Sequence, residues 1–262
     1  MARRSREDHQ GTTHHICIRG VDGMQIFRTD ADHEFALGLL EHWLSRLGGR
    51  CIAWSLNGNH VHAVIVRCEG SLADLVARVM SHYAIYFNRT HGRVGHLVQG
   101  RFESRRIEHD DDLRWTLVYA LANAARHGVL VPRELLTHRW CGVPSVMGQG
   151  AQRGFESCAE TLLAFDERPD VAREALFALI ESAHANQWRR PDPRFEALVR
   201  EVACAAGIRA EELCSPDPAH TRARDQVVAR AIRELGLRPG RVSQRLGMSR
   251  ASIYRSLTRS RA

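Results

Sequence analysis

The eight residues Asn59-His60-Val61-His62-Ala63-Val64-Ile65-Val66 constrain the fold of this chain more than any other stretch. The run is rich in β-branched residues, and strand side chains alternate sides with a period of two. His60 and His62 therefore point to one face, while Val61, Ala63 and Ile65 press the other into a core. Two imidazoles so placed can hold one metal ion between them. In a chain with 15 histidines, however, the spacing alone does not separate ligands from ordinary core or surface histidines.

A second motif lies sixty residues on, at Trp115-Thr-Leu-Val-Tyr119-Ala-Leu-Ala-Asn123-Ala-Ala-Arg126-His127-Gly128. Asp110, Asp111 and Asp112 offer N-caps and negative charge for a helix start, and Gly128 followed by Pro132 offers the stop. At 100° per residue, Leu113, Leu117, Ala120, Leu121 and Ala124 form an apolar stripe. Trp115, Tyr119, Asn123 and Arg126 fall on roughly the opposite side, with Tyr119 and Asn123 one helical turn apart. Taken alone, this is equally a half-buried tyrosine on a helix flank.

Chemistry joins the two motifs. A tyrosine hydroxyl can attack a DNA phosphodiester and hold it as a covalent phosphotyrosine. The phosphate and the leaving 3′ oxygen develop negative charge, which a divalent ion beside them stabilises. His60, His62 and the Asn123 amide oxygen supply three protein ligands and leave open positions. Imidazole favours Mn2+, while cellular availability favours Mg2+. Tyr83 and Tyr86 compete with Tyr119 for the nucleophile's role: Tyr83 continues a leucine stripe, and Tyr86 lies beside Phe87 and a basic loop.

The order of the motifs resembles the REP-associated tyrosine transposases, within the single-tyrosine HUH transposases. The resemblance covers roughly residues 13–145. It rests on His14-His15-Ile16-Cys17-Ile18-Arg19-Gly20 with Gln25-Ile26-Phe27, and on Trp54-Ser-Leu-Asn57-Gly58-Asn59-His60-Val-His62. Further on, Tyr83-Ala-Ile-Tyr86-Phe87-Asn88-Arg89 precedes His91-Gly92-Arg93-Val94-Gly95 and Gln99-Gly100-Arg101-Phe102, and then the Tyr119 helix. It implies a metal site of His60 and His62, Tyr119 as nucleophile, and Asn123 as third ligand. The chain departs from the family's pattern at Gly58, Val98 and Ala124, none of them a proposed ligand or nucleophile.

Composition points to a polyanionic partner: the formal charge is +7 and all 37 basic residues are arginine. The absence of lysine reads as genomic GC bias. Arg89, Arg93 and Arg101, with Arg105, Arg106 and Arg126, are candidates to line a groove for single-stranded or hairpin DNA. Seven scattered cysteines without a Cys-x-x-Cys pair read as reduced thiols. With no signal-like segment and no apolar run near 18 residues, a cytoplasmic, nucleoid-associated protein with no membrane partner is expected.

Strands are predicted near 13–19, 24–28, 50–57 and 60–67, the last two joined by a turn at Asn57-Gly58. Strand-like residues follow near 96–107. Helices are predicted over 31–47, on Phe35, Leu39, Leu40, Trp43, Leu44 and Leu47, and over 71–90, on Leu72, Leu75, Val79 and Tyr83. The class is α+β: a ferredoxin-like antiparallel sheet with packed helices, followed by a small all-α domain. The expected domains are 1–145, an irregular or helical connector 146–191, and 192–262. In the last, Val227, Val228, Ala231 and Leu235 form a helix face, and a helix-turn-helix is expected at about 239–258, capped by Ser249. Its outward residues Arg250, Ser252, Tyr254 and Arg255 are candidates to meet duplex DNA. This end resembles the helix-turn-helix of the replication initiator DnaA.

The function expected is metal-dependent cleavage and strand transfer of single-stranded DNA, as a transposase on repeat or hairpin DNA, with a homodimer among the open assembly states. Two alternatives stand beside it: a non-catalytic, sequence-specific DNA-binding regulator derived from a transposase, and a metal-dependent hydrolase without a covalent step.

Overall fold

A computed structural model of the chain describes residues 11–67, 70–185, 192–214 and 217–259. It divides into two compact units, Met1–Trp188 and Arg189–Ala262. The first unit runs β1 (Thr13–Arg19), α1 (Asp30–Leu47), β2 (Arg50–Asn57), β3 (His60–Val66), α2 (Leu72–Thr90) and β4 (Glu103–Ile107). All neighbouring strands pair antiparallel, in the order β2-β3-β1-β4. A β-α-β-β-α-β chain with this strand order is a ferredoxin-like arrangement, in the α+β class.

Both crossover helices carry their own start signals. Thr29 Oγ1 accepts the Asp32 amide while the Asp32 carboxylate accepts the amides of Arg28 and Thr29, a reciprocal cap at the head of α1. Ser71 Oγ accepts the Asp74 amide at the head of α2. The two helices cover one sheet face, where Ile16, Ile18, Leu56, Ala63 and Ile65 meet Leu37, Leu44, Leu75, Val79 and Tyr83. The inward face of α1 is rotated from the predicted one: Ala36, Leu37 and Leu44 are buried, while Phe35 is 40% exposed and stacks on Tyr86.

The other sheet face is covered by α3 (Asp110–Leu121), α4 (Asn123–Arg126), α5 (Val143–Val146), α6 (Cys158–Leu163) and α7 (Pro169–Ala185). Here Ala53 and Val64 pack with Leu117, Leu121, Val143, Leu162, Leu176 and Ile180. Residues 146–185 thus supply core side chains of the first unit, where the sequence suggests a connector. The physical reason is the open edge of β2. Leu56 N donates to Trp140 O, Gly142 N to Trp54 O, Cys51 N to Phe155 O and Ser157 N to Cys51 O, which pairs an edge otherwise left bare. Buried Glu156 fastens the same stretch by accepting from Trp54 Nε1 at 2.6 Å and Ser145 Oγ at 2.9 Å.

Three local expectations are corrected. No strand forms at 24–28; a 3-10 turn at Val21–Gly23 leads into an extended segment in which the amides of Ile26 and Phe27 both donate to Gly58 O. Only Glu103–Ile107 of the predicted 96–107 stretch is strand, with a lone bridge from Val98 to Gly20. The hairpin turn is Gly58-Asn59, because Asn57 pairs with His60.

The second unit contains α8 (Pro193–Ala205), α9 (Thr221–Arg233), α10 (Pro239–Leu246) and α11 (Arg250–Arg259). They close around Phe195, Val202, Val227, Val228, Ala231, Val242, Leu246 and Ile253. Gly247, at φ +65°, ends α10 in the left-handed conformation that glycine adopts without penalty. Ser249 Oγ accepts the Ser252 amide at 3.1 Å and caps α11. Arg259 holds Asp225 of α9 through both carboxylate oxygens, at 2.7 and 2.8 Å. Among the described residues, no helix is long and apolar enough to cross a membrane.

Candidate active site

Strand register builds the floor of the site. Cys17 pairs opposite His62 and Arg19 opposite His60, so the alternation of β1 sends His15, Cys17 and Arg19 to the same sheet face as the two histidines of β3. Helices α3 and α4 lie over that face. They are not one helix, as the sequence pattern suggests: α3 ends at Leu121, and Ala122 takes φ −103° and ψ 23° before α4 opens at Asn123. Ala120, Ala122, Ala124 and Ala125 are all buried at this break, so small side chains line the tightened turn. Asn123 is fully buried, and Tyr119 remains half-buried. The start of α3 also differs from expectation. His109 occupies the cap position without a side-chain bond, and Asp112 instead pairs with Arg105 of β4, which also donates to Thr116 Oγ1 at 2.8 Å.

Tyr119 is held on several sides. Its ring meets His62 edge to face at 5.1 Å and His15 at 5.7 Å, and the Arg126 guanidinium lies over it at 4.9 Å. Tyr83 and Tyr86 lie with the core on the other side of the sheet. Tyr83 is fully buried there, its hydroxyl donating to Ile26 O.

His60 stands between two carboxamides, with Nδ1 2.6 Å from Asn59 Oδ1 and Nε2 2.7 Å from Asn123 Oδ1. Burial is the largest influence on its pKa and lowers it, against the raising effect of Asn123. A neutral imidazole has a single N–H and cannot donate to both oxygens. With the proton on Nδ1, the lone pairs of Nε2 and Asn123 Oδ1 face each other, and Asn123 Nδ2 is buried without a partner. Turning the carboxamide over only moves the orphan from Nδ2 to Oδ1. Two facing lone pairs beside an unsatisfied amide are a donor set that a divalent cation would fit. Among the described residues, no group of three or more His, Cys, Asp or Glu side chains is placed to hold a metal ion.

His62 Nδ1 lies 3.0 Å from His15 Nε2. Burial first, then the neighbouring His15, holds His62 down at about 2; burial first, then Arg105, holds His15 down at about 4. Both are neutral at physiological pH. Burial and Glu103 push the Cys17 thiol up to about 11, so it is no thiolate nucleophile near neutrality.

Tyr119, His60, His62, Asn59 and Cys17 line a cavity of about 870 Å3 that also receives Arg19, Gln25, Gln99, Arg101, Glu103, Arg126 and His127. Three guanidinium groups, of Arg19, Arg101 and Arg126, face one carboxylate, a balance that favours a polyanion. The fold thus brings Tyr119, His60, His62, Asn123, Arg101 and Arg126 together. Arg89 and Arg93 do not line this cavity; Arg93 donates to Asn88 Oδ1 at 3.2 Å and to His96 O at 3.4 Å, inside its own loop. In the second unit, Tyr254 is 59% exposed, Arg255 is exposed and Ser252 is half-buried on α11, while the Arg250 side chain lies outside the described set. Sequence reasoning left His15, Arg19, His127, Glu103 and Asn59 out of the site. The alternation His15, Cys17, Arg19 was the available signal for β1, but only pairing with β3 gives it meaning.

No family model and no curated protein matches the chain. Among solved structures, it is similar to a REP-associated tyrosine transposase bound to a REP hairpin, with a TM-score of 0.48 and 15% identity, over 60% of this chain and 92% of that one.

Proposed function

We propose that the first unit cleaves and rejoins single-stranded or hairpin DNA through a phosphotyrosine on Tyr119, as a transposase does, and that the second unit binds duplex DNA. The observation that carries this reading is the meeting of Tyr119 with His60 and His62 in one cavity edged by Arg19, Arg101 and Arg126, with buried Asn123 Oδ1 2.7 Å from His60 Nε2. The Tyr119 hydroxyl attacks phosphorus, the bond from phosphorus to the 3′ oxygen breaks, and the phosphate stays on the tyrosine. The phenol proton leaves to water and the 3′ oxygen takes one from water; rejoining is the same exchange in reverse. Arg19, Arg101 and Arg126 grip and orient the backbone, and burial keeps His60 and His62 neutral, the form in which imidazole is a ligand. His60, His62 and Asn123 would hold Mg2+ or Mn2+, which when bound supplies Lewis-acid stabilisation of charge on the phosphate and leaving oxygen.

The test uses end-labelled single strands carrying palindromic repeats that flank the coding sequence, with Mn2+ or Mg2+, on denaturing gels. A labelled adduct that disappears in Tyr119→Phe and with chelator is expected. Cleavage that survives Tyr119→Phe would instead identify a metal-dependent hydrolase. Binding to the correct repeats with neither adduct nor cleavage would identify a non-catalytic regulator.

A further inference from the structure

His15 is absent from the ligand set, yet it makes the most specific contact to one of that set's members. Its ring lies parallel to that of His62, with centroids 5.1 Å apart and planes within 10°, and its Nε2 is 3.0 Å from His62 Nδ1. Two neutral rings joined nitrogen to nitrogen share one proton along that line, so the contact dictates the tautomer of each. If His62 Nδ1 carries the proton, His15 Nε2 accepts it, and the His62 lone pair sits on Nε2. If the polarity is reversed, His62 Nε2 carries the proton and has no lone pair to offer.

Only the first polarity is compatible with His62 as a ligand, because its Nδ1 is already engaged with His15. The neighbouring histidine is arranged in the same way: Asn59 Oδ1, 2.6 Å from His60 Nδ1, is an acceptor that holds the proton there and leaves Nε2 to face Asn123. An acceptor behind each imidazole, fixing which nitrogen looks outward, is a recurring support for histidine ligands. His15 also packs perpendicular to the Tyr119 ring, centroids 5.7 Å apart, so one side chain braces both the histidine and the tyrosine.

The geometry points to His15 as a positioning residue that fixes His62 as the Nδ1–H tautomer and so presents its Nε2 lone pair to a divalent cation. This rests on the reading of His60, His62 and Asn123 as ligands.

The experiment combines long-range proton–nitrogen NMR of the histidine rings in the metal-free full chain with calorimetric titration of Mn2+ alone. In the wild type, His62 is expected as a single Nδ1–H tautomer. In His15→Ala, the tautomers should mix and Mn2+ affinity should fall about 10–100-fold. His15→Gln, whose carboxamide oxygen can accept from Nδ1, should keep the tautomer and most of the affinity, a rescue that a purely packing role would not produce. Should His15→Ala fail to fold, His15→Phe keeps a ring in place without the acceptor and should show the same tautomer mixing. An unchanged Nδ1–H tautomer with unchanged Mn2+ affinity in a folded His15→Ala or His15→Phe chain would overturn the assignment. If the wild type itself binds no Mn2+, the ligand reading fails separately, and the tautomer measurement still decides whether His15 orients His62.

Discussion

Tyr119 owes its orientation to three side chains from different parts of the chain: His15 of β1, His62 of β3 and Arg126 of α4. Tyr119→Phe keeps all three ring contacts and removes only the hydroxyl proposed as the nucleophile. Covalent attachment to DNA should vanish, while DNA affinity should stay within about tenfold, since one hydrogen-bonding group contributes roughly 0.5–1.5 kcal/mol net. An adduct in this variant would move the nucleophile elsewhere. The histidines make a second prediction. His15 and His62 sit at about 4 and about 2 in the fold, below their ordinary 6.5. The unfolded chain therefore takes up protons first on acidification. The stability they contribute is fully present above pH 6.5 and is lost as pH falls through about 4 for His15 and towards about 2 for His62. With chelator present, the melting temperature should drop between pH 6.5 and 4, less steeply in His62→Gln. His33 and His138, also lowered mainly by burial, add to the drop with the same sign. A flat profile over that interval would contradict neutral burial of these rings. At this scale, spacing and resemblance singled out His60, His62, Tyr119 and Asn123 as candidates, whereas His15 was not singled out, because its contact is with a partner 47 positions away.

The element that shapes the cavity wall is the turn after β1. Gly20 donates its amide to Asn59 O at 2.9 Å, and Asn59 in turn donates to Gly23 O at 3.2 Å, which ties this turn to the hairpin that bears His60. A Cβ at Gly20 would lie 2.2 Å from Met24 O and 2.8 Å from Ile26 Cγ2, both inside the turn. Gly20→Ala should cost about 1–3 kcal/mol and roughly 2–12 °C of melting temperature. Gly38, inside α1 with nothing near its missing Cβ, is the control: Gly38→Ala should stabilise by about 0.5–1 kcal/mol. Thermal melts of both variants check the pair, and similar shifts would remove the steric argument. Sequence periodicity located α1, α2, β2 and β3 closely, because each carries its own cap or alternation. It misplaced a strand at 24–28, where the amides of Ile26 and Phe27 satisfy themselves on Gly58 O. It also ran α3 and α4 together, because the break at Ala122 carries no glycine or proline to announce it.

Across the whole molecule, the two units divide the labour proposed for them, and each division has its own measurement. In the full chain, Arg255→Ala should weaken duplex binding and reduce the slope of log affinity against log salt by about one, the effect of removing one phosphate contact. The Tyr119 adduct on single strands should form as before. An unchanged salt slope would take Arg255 out of the duplex surface. The sequence by itself determined which residues are candidates for chemistry, that the chain is α+β, and that a basic helical segment follows, because periodicity, capping and charge are properties of short stretches. Only the tertiary structure decided that residues 146–185 complete the core of the first unit, that Arg93 stays within its own loop, and that His15 and Asn59 stand behind the two histidines of β3. Those outcomes depend on strand register, on the open edge of β2 and on the packing of α3 and α4 over the sheet. They are set by contacts between segments far apart in the chain, which no local pattern encodes.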